Sequence, residues 1–439
     1  MSIALAVASC FAGVPRAWAQ YAEYPRQVGG YQPFESGILP SWMSLDFELR
    51  GRTEDQTAIK LISGQNELYE LTRARGGMQI QASSWFTAYV QFQDAHALAL
   101  PLKYTAANMR DTFDLRQGYL DLHSKSVRLI AGRQELRYGD ERVVGISDWT
   151  NTSRSWDGFL LRVGDKNKLD LFTTSVVNIY PTSFDTHGAG LTFHGAVGTL
   201  TTLLPKTTFQ PFLLVRALPR VKSQQGIYGN ETEFTPGIIV TREANSGLDY
   251  TATGTIQRGT YSNDSIHAGS AIIKTGYTEE HLPWRPRAGF EYDYATGNAH
   301  RNPMRISTND QLYPSNHNAF GLVDLFGFQN IQQFRGDFDL TPLPNLSLFL
   351  QAGALQLATN RDNVYNSSGT PLVSAPATGF LGRDIGTEFD ASAKYVLTKY
   401  LVINAGVGHL FPGQVMTQNG HNVPLTLTYF ALTYRFKVN

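Results

Sequence analysis

Six arginines in the first third of the chain come in close pairs: Arg50 and Arg52, Arg73 and Arg75, Arg133 and Arg137. A guanidinium is planar, always charged and able to grip a carboxylate through two parallel hydrogen bonds. Several of them in a row would pass an anionic chain from one site to the next, provided each contact is weak enough to release. The competing reading of any one arginine is structural, a strut in an interior salt-bridge ladder. Which reading applies depends on the elements that carry these side chains.

Those elements read as strands. Over 384–396, Ile385, Thr387, Phe389, Ala391, Ala393 and Tyr395 fall on one face, and Gly386, Glu388, Asp390, Ser392 and Lys394 on the other. Period-two alternation means a strand between two different environments, and about 9–11 such residues span a bilayer when tilted. Approximate strands run 43–52, 68–81, 85–94, 113–123, 126–137, 155–163, 167–177, 187–195, 208–217, 235–242, 246–258, 263–276, 285–296, 330–341, 345–357, 384–396, 401–411 and 425–438. Connections alternate: short at 83–84, 124–125, 164–166, 342–344 and 398–400, long at 95–112, 138–154, 218–234, 298–329 and 358–383. Two break the order, 198–206 being too long and 259–262 too short. Short turns on one side and long loops on the other describe a transmembrane antiparallel β-barrel of about eighteen strands. A barrel of that size encloses a water-filled lumen rather than a packed core.

Charge then assigns the faces. An Arg or Lys at the lipid midplane costs about 2–4 kcal/mol, so the charged series must point inward. The lumen therefore receives Asp46, Glu48, Arg50 and Arg52, then Arg73 and Arg75, then Arg133, Glu135 and Arg137, then Arg162. Later strands add Lys274, Arg287, Glu291, Asp293, Arg335, Asp337, Asp339, Glu388, Asp390, Lys394 and Arg435. Leu45, Phe47, Leu49, Phe290, Phe334, Phe338, Phe430 and Leu432 face lipid. Arg50, Arg52, Arg73, Arg75, Arg133 and Arg137 would gather on one side of the pore.

Other chemistries find no residues. There is no G-x-S-x-G elbow, no phosphate-cradling G-x-x-x-x-G-K and no H-E-x-x-H. The ten histidines are scattered, and 165–167 begins like a calcium loop but lacks its glycine and terminal Glu, so it reads as a turn. Lys plus Arg and Asp plus Glu are both 37, which argues against nucleic acid as a partner. No cofactor or metal set stands out. The lone cysteine, Cys10, lies in an apolar N-terminal stretch that ends in Ala17-Trp18-Ala19. Residues 1–19 thus read as a signal peptide, 20–41 as a periplasmic lead-in and 42–439 as the barrel. The aromatic-rich end, 429–436, resembles the terminal signal read by barrel-assembly machinery.

The stretches 132–142 (GRQELRYGDER), 148–158 (DWTNTSRSWDG), 286–297 (PRAGFEYDYATG), 312–327 and 384–390 (DIGTEFD) resemble the alginate-export family of outer-membrane barrels. The resemblance implies an eighteen-stranded barrel in the outer membrane of a Gram-negative bacterium. It also implies passage of an anionic polysaccharide, a polyuronate, through an arginine-rich constriction, with possible periplasmic export partners. A lumen that mixes carboxylates with arginines equally suits a general or oligosaccharide-specific porin. Short periplasmic turns leave gating to outer loops such as 138–154 and 298–329.

Overall fold

The computed structural model describes residues 33–35, 37–101, 105–300, 302–317 and 319–439. The expected leader and most of the lead-in lie outside the described residues. Eighteen long strands form the wall: β1 Met43–Thr57, β2 Glu67–Ser83, β3 Phe86–Leu98, β4 Asp111–His123, β5 Val127–Gln134 and β6 Trp156–Gly164. Next come β7 Lys168–Asn178, β8 Thr192–Leu204, β9 Thr207–Lys222, β10 Tyr228–Arg242, β11 Gly247–Tyr261 and β12 Asp264–Thr278. The last six are β13 Arg287–Ala295, β14 Ile331–Leu343, β15 Leu346–Leu357, β16 Asp384–Val396, β17 Leu401–Pro412 and β18 Leu425–Val438. Each pairs antiparallel with its neighbours, and β18 returns to β1 from Leu45 opposite Val438 to Thr57 opposite Thr426. The sheet is closed.

Alternation decides what each face meets. Along β1, Ser44, Asp46, Glu48, Arg50, Arg52 and Glu54 are all buried inside, while Leu49 is 57% exposed on the lipid side. Phe290, Phe334, Phe389 and Phe430 are exposed in the same way on later strands. One turn depends on glycine: Gly164 has φ +110°, and a Cβ there would sit 2.0 Å from the Asn167 carbonyl oxygen.

The eighth strand departs from expectation. It runs Thr192–Leu204, and Thr186–His187 makes only a two-residue pairing with the end of β7. Gly198, expected at the start of the 198–206 connection, lies within the β7–β8 ladder opposite Leu169 and beside Pro211 of β9. The β8–β9 turn is therefore just 205–206, and the overlong connection disappears. β9 and β10 also run beyond the predicted ends, so the expected loop at 218–234 is a protruding hairpin with its tip at 223–227. The short 262–263 turn is real.

The polar wall encloses space that two loops enter. Residues 135–155, between β5 and β6, and 296–330, between β13 and β14, pair with each other inside through a bridge from Val144 to Tyr313. Each also brings apolar side chains. Leu136, Val144, Ile146, Trp156, Leu160, Phe172 and Phe193 cluster on one side. Ala319, Phe320, Val323, Phe326 and Phe328 cluster with Ile331, Leu355, Leu410 and Met416 on the other. The sequence places these two long loops correctly and shows nothing of how far in they fold.

Candidate functional site

Opposite residues on β1 and β2 bring the first arginines together: Glu48 faces Arg75, and Arg50 faces Arg73. The 135–155 loop crosses over them. Asp148 puts its carboxylate 3.1 Å from Arg73, 3.0 Å from Arg75 and 3.6 Å from Arg435. Arg50 donates to the Asp148 and Thr150 carbonyls at 2.9 and 3.1 Å, and Arg52 to the Trp149 carbonyl at 2.7 Å. Buried Asn151 completes the anchor, with its amide donating to the carbonyls of Thr72, His96 and Met109. Burial works to raise the Asp148 pKa, yet Arg73, Arg75, Arg435 and Arg50 hold it well below the ordinary carboxylate range. The arginine ladder already grips a carboxylate: its own loop's.

The opposite wall repeats the device with signs reversed. Arg142 of the same loop reaches Glu291 and Asp293 on β13, which Arg335 of β14 also binds, at 2.6 and 3.2 Å. Near the periplasmic end, Arg287 holds Asp249 at 2.9 Å together with Asp337 and Asp339. On β16, Glu388 and Asp390 accept from the backbone N–H groups of Val323 and Leu322, at 2.9 and 3.3 Å, and so fix the 296–330 loop. The two loops meet at Trp149, which stacks on His317 at 3.5 Å and carries the Arg52 guanidinium at 3.6 Å. Two planar groups that close to one ring must occupy its opposite faces. Arg154 joins the loops again, donating to the carbonyls of Gly145 and Tyr313.

Of the residues expected in the lumen, Arg50, Arg52, Arg73, Arg75, Arg162, Arg287, Glu291, Asp293, Arg335, Asp337, Glu388, Asp390, Lys394 and Arg435 lie on the inward series of their strands. Glu135 and Arg137 lie just beyond β5, paired with each other at 2.9 Å. Arg133 is a correction. It stands opposite Asp157, the residue after Trp156, and Trp156 and Leu160 are buried in the interior cluster. Asp157 and Arg133 therefore belong to the outward series, where they pair at 2.8 Å on the extracellular rim. The strand's ladder stops at Gln134, so 133, 135 and 137 do not share a face.

Sequence reasoning missed Arg116, Asp148, Arg142 and Arg216. Arg116 binds Glu135 at 2.9 Å, but a register shift between β3 and β4 breaks the alternation that would have revealed it. Arg216 holds Glu231 at 2.8 Å and loop residue Asp310. Asp148, Arg142 and Asp310 sit in loops, where no period exists to read. Water reaches few of the interior arginines: the side chains of Arg137, Arg162 and Arg435 are 30, 34 and 28% exposed, against 0% for Arg73 and 1% for Arg335.

A closed sheet with lipid-facing hydrocarbon and a charged, loop-narrowed interior defines an outer-membrane β-barrel channel of a Gram-negative bacterium. A family profile described as alginate export matches residues 41–428, and the chain belongs to that family. Among solved structures it is similar to Pseudomonas aeruginosa OccD3 (OpdP), at 11% identity and TM-score 0.62 over 96% of this chain and 98% of that one. It is similar to Acinetobacter baumannii OccAB2, at 10% identity and TM-score 0.61 over 92 and 100%. A third is P. aeruginosa OccK11 (OpdR), at 14% and 0.59 over 93 and 100%. At these identities the likeness is one of fold. No curated protein matches the sequence.

Proposed function

We propose that this channel passes an anionic saccharide of the polyuronate type, or a smaller carboxylate solute, by passive diffusion. The observation that carries the reading is the seat of Asp148: one carboxylate held by Arg73, Arg75 and Arg435, with Arg50 on its backbone. A uronate carboxylate has the same chemistry and would be met first by the water-accessible Arg137 and Arg435. Loops 135–155 and 296–330 set the width and must shift for a polymer to pass. The terminal strand suits recognition by barrel-assembly machinery, and the protein acts as a channel rather than an enzyme.

Planar-bilayer recordings test this. Expected are anion preference and a current blocked by oligouronates but not by neutral oligosaccharides of equal length. A second reading, a general or oligosaccharide porin, is favoured by the number of acids in the same wall, among them Glu291, Asp293, Asp337, Glu388 and Asp390. Weak selectivity with equal block by charged and neutral sugars would establish it instead.

A further inference from the structure

The extracellular rim over β4 carries three carboxylates that the channel reading does not use. Asp111 and Asp114 belong to β4, and Asp185 comes from the 179–191 loop between β7 and β8. One oxygen from each lies within 4.8 Å of the others. Metal–oxygen bonds of 2.3–2.6 Å around calcium accommodate such spacings. Among the described residues no Lys, Arg or His nitrogen makes an ion pair with any of the three. Two cations lie near: Arg116 binds Glu135 at 2.9 Å, and Arg133 spends its Nε and Nη2 on Asp157, at 2.8 and 3.1 Å, and gives Asp185 only a hydrogen bond to its backbone carbonyl.

A second observation points to a ligand. Asp111 is 2% exposed; its Oδ2 accepts from Gln93 at 3.1 Å, while its Oδ1 is buried with no hydrogen-bond donor. A buried carboxylate oxygen without a partner is costly, and here it belongs to a group already facing two further carboxylates. The loop's later residues pair with the end of β7 through Thr186–His187, and two further bonds tie it to β4. The Asp185 N–H donates to Asp114, and the Thr112 hydroxyl donates to the Pro181 carbonyl at 3.0 Å.

We infer that Asp111, Asp114 and Asp185 form a binding site for a divalent cation of the calcium class, which clamps the 179–191 loop to the outer rim of the barrel. Three carboxylates facing one another repel, and a doubly charged ion with oxygen preference removes the repulsion and satisfies the orphaned Oδ1. Calcium suits a site shared between a strand and a loop because it tolerates irregular geometry, whereas magnesium demands a near-ideal octahedron.

The test uses the full chain folded in detergent, stripped with EDTA, with terbium as luminescent probe and Tyr180 as antenna; the Tyr180 N–H donates to Asp185 at 2.7 Å. Expected is one calcium-displaceable terbium per chain, with a calcium affinity on the order of 10⁻⁴–10⁻³ M, as in other extracellular sites. Asp185→Asn should weaken binding by about tenfold or more, a first-ligand loss, while Asp165→Asn, in the exposed β6–β7 turn at the other end of the barrel, should leave it unchanged. Calcium should also slow proteolysis within 179–191 in the unaltered protein, a readout that needs no variant. Failure of calcium to displace terbium, equal binding by Asp185→Asn, or cleavage of the loop at the same rate with and without calcium would each overturn the proposal. Magnesium acting as well as calcium would overturn the choice of ion class.

Discussion

Nη1 of Arg75 lies 3.0 Å from Oδ1 of Asp148, a residue 73 positions away in sequence, and this contact ties a loop to the wall in the middle of the barrel. Removing one partner of a buried pair costs about 3–5 kcal/mol, because the other charge is left uncompensated. Asp148→Asn takes one carboxylate from Arg73, Arg75 and Arg435 and leaves them Glu48, 2.6 Å from Arg73 and Arg435 but 4.0 Å from Arg75. The expected outcome is a barrel that still folds, seen as a heat-modifiable gel band, with larger and noisier single-channel currents and stronger anion preference. An unaltered current trace would mean that the 135–155 loop is held elsewhere.

The two loops should respond to pH in opposite senses. Arg73, Arg75, Arg435 and Arg50 hold the folded pKa of Asp148 well below the ordinary carboxylate range, so the stability it contributes is full above about pH 4 and declines as pH falls through the folded value. Asp324, in the 296–330 loop, is the reverse case. Burial, with Glu54 adding to it and His317 opposing, pushes its carboxyl up to about 7. Its contribution is full below about pH 4, the ordinary carboxylate range, and is lost as pH rises through about 7. Asp324→Asn, which stays neutral, should therefore raise the thermal midpoint more at pH 8 than at pH 5. A pH-independent difference would show that Asp324 is solvated and ordinary.

Selectivity should separate the arginines that the strand pattern grouped together. Arg137 and Arg435 keep water access beside the folded loop, whereas Arg133 pairs with Asp157 on the outer rim. Arg137→Gln with Arg435→Gln should shift the reversal potential in a salt gradient toward cations. Arg133→Gln should leave it where it was and alter only the rim. If Arg133→Gln produced the larger shift, the outward placement of its side chain would be wrong.

That contrast marks how far the sequence can be read. A wall strand has a period, and a charge in the lipid layer costs enough to fix the phase, so the eighteen strands and the inward series that carries Arg50, Arg73, Glu291 and Glu388 can be read from spacing and charge. Arg133 fails because the β5 ladder ends at Gln134 and the charges beyond it no longer share its phase. Arg116 escapes because a bulge between β3 and β4 scrambles the local alternation. Asp148, Arg142 and Tyr313 are invisible for a different reason. Loop residues obey no period, and what seats them is complementarity with a wall formed by strands far away in the chain.

The contact between the two loops gives the most direct test of a narrowed interior. The Ser315 N–H donates to the Glu141 carbonyl at 2.9 Å, and the Ser315 hydroxyl to the Glu141 carboxylate at 2.7 Å, so the two residues are neighbours across the loops. Disulfides need Cα atoms about 4.4–6.8 Å apart, and backbone groups in hydrogen-bond contact bring residues to that order of separation. With Cys10, the chain's single cysteine, changed to Ala, a Glu141→Cys, Ser315→Cys pair would carry the only two thiols. Oxidation should cross-link them without loss of the folded band, lower current noise and reduce block by long oligouronates, all reversed by dithiothreitol. A pair that stays reduced under oxidant would mean that the loops do not meet in the membrane-embedded protein. A cross-linked pair with unchanged polymer block would mean that the loops meet and the solute passes beside them.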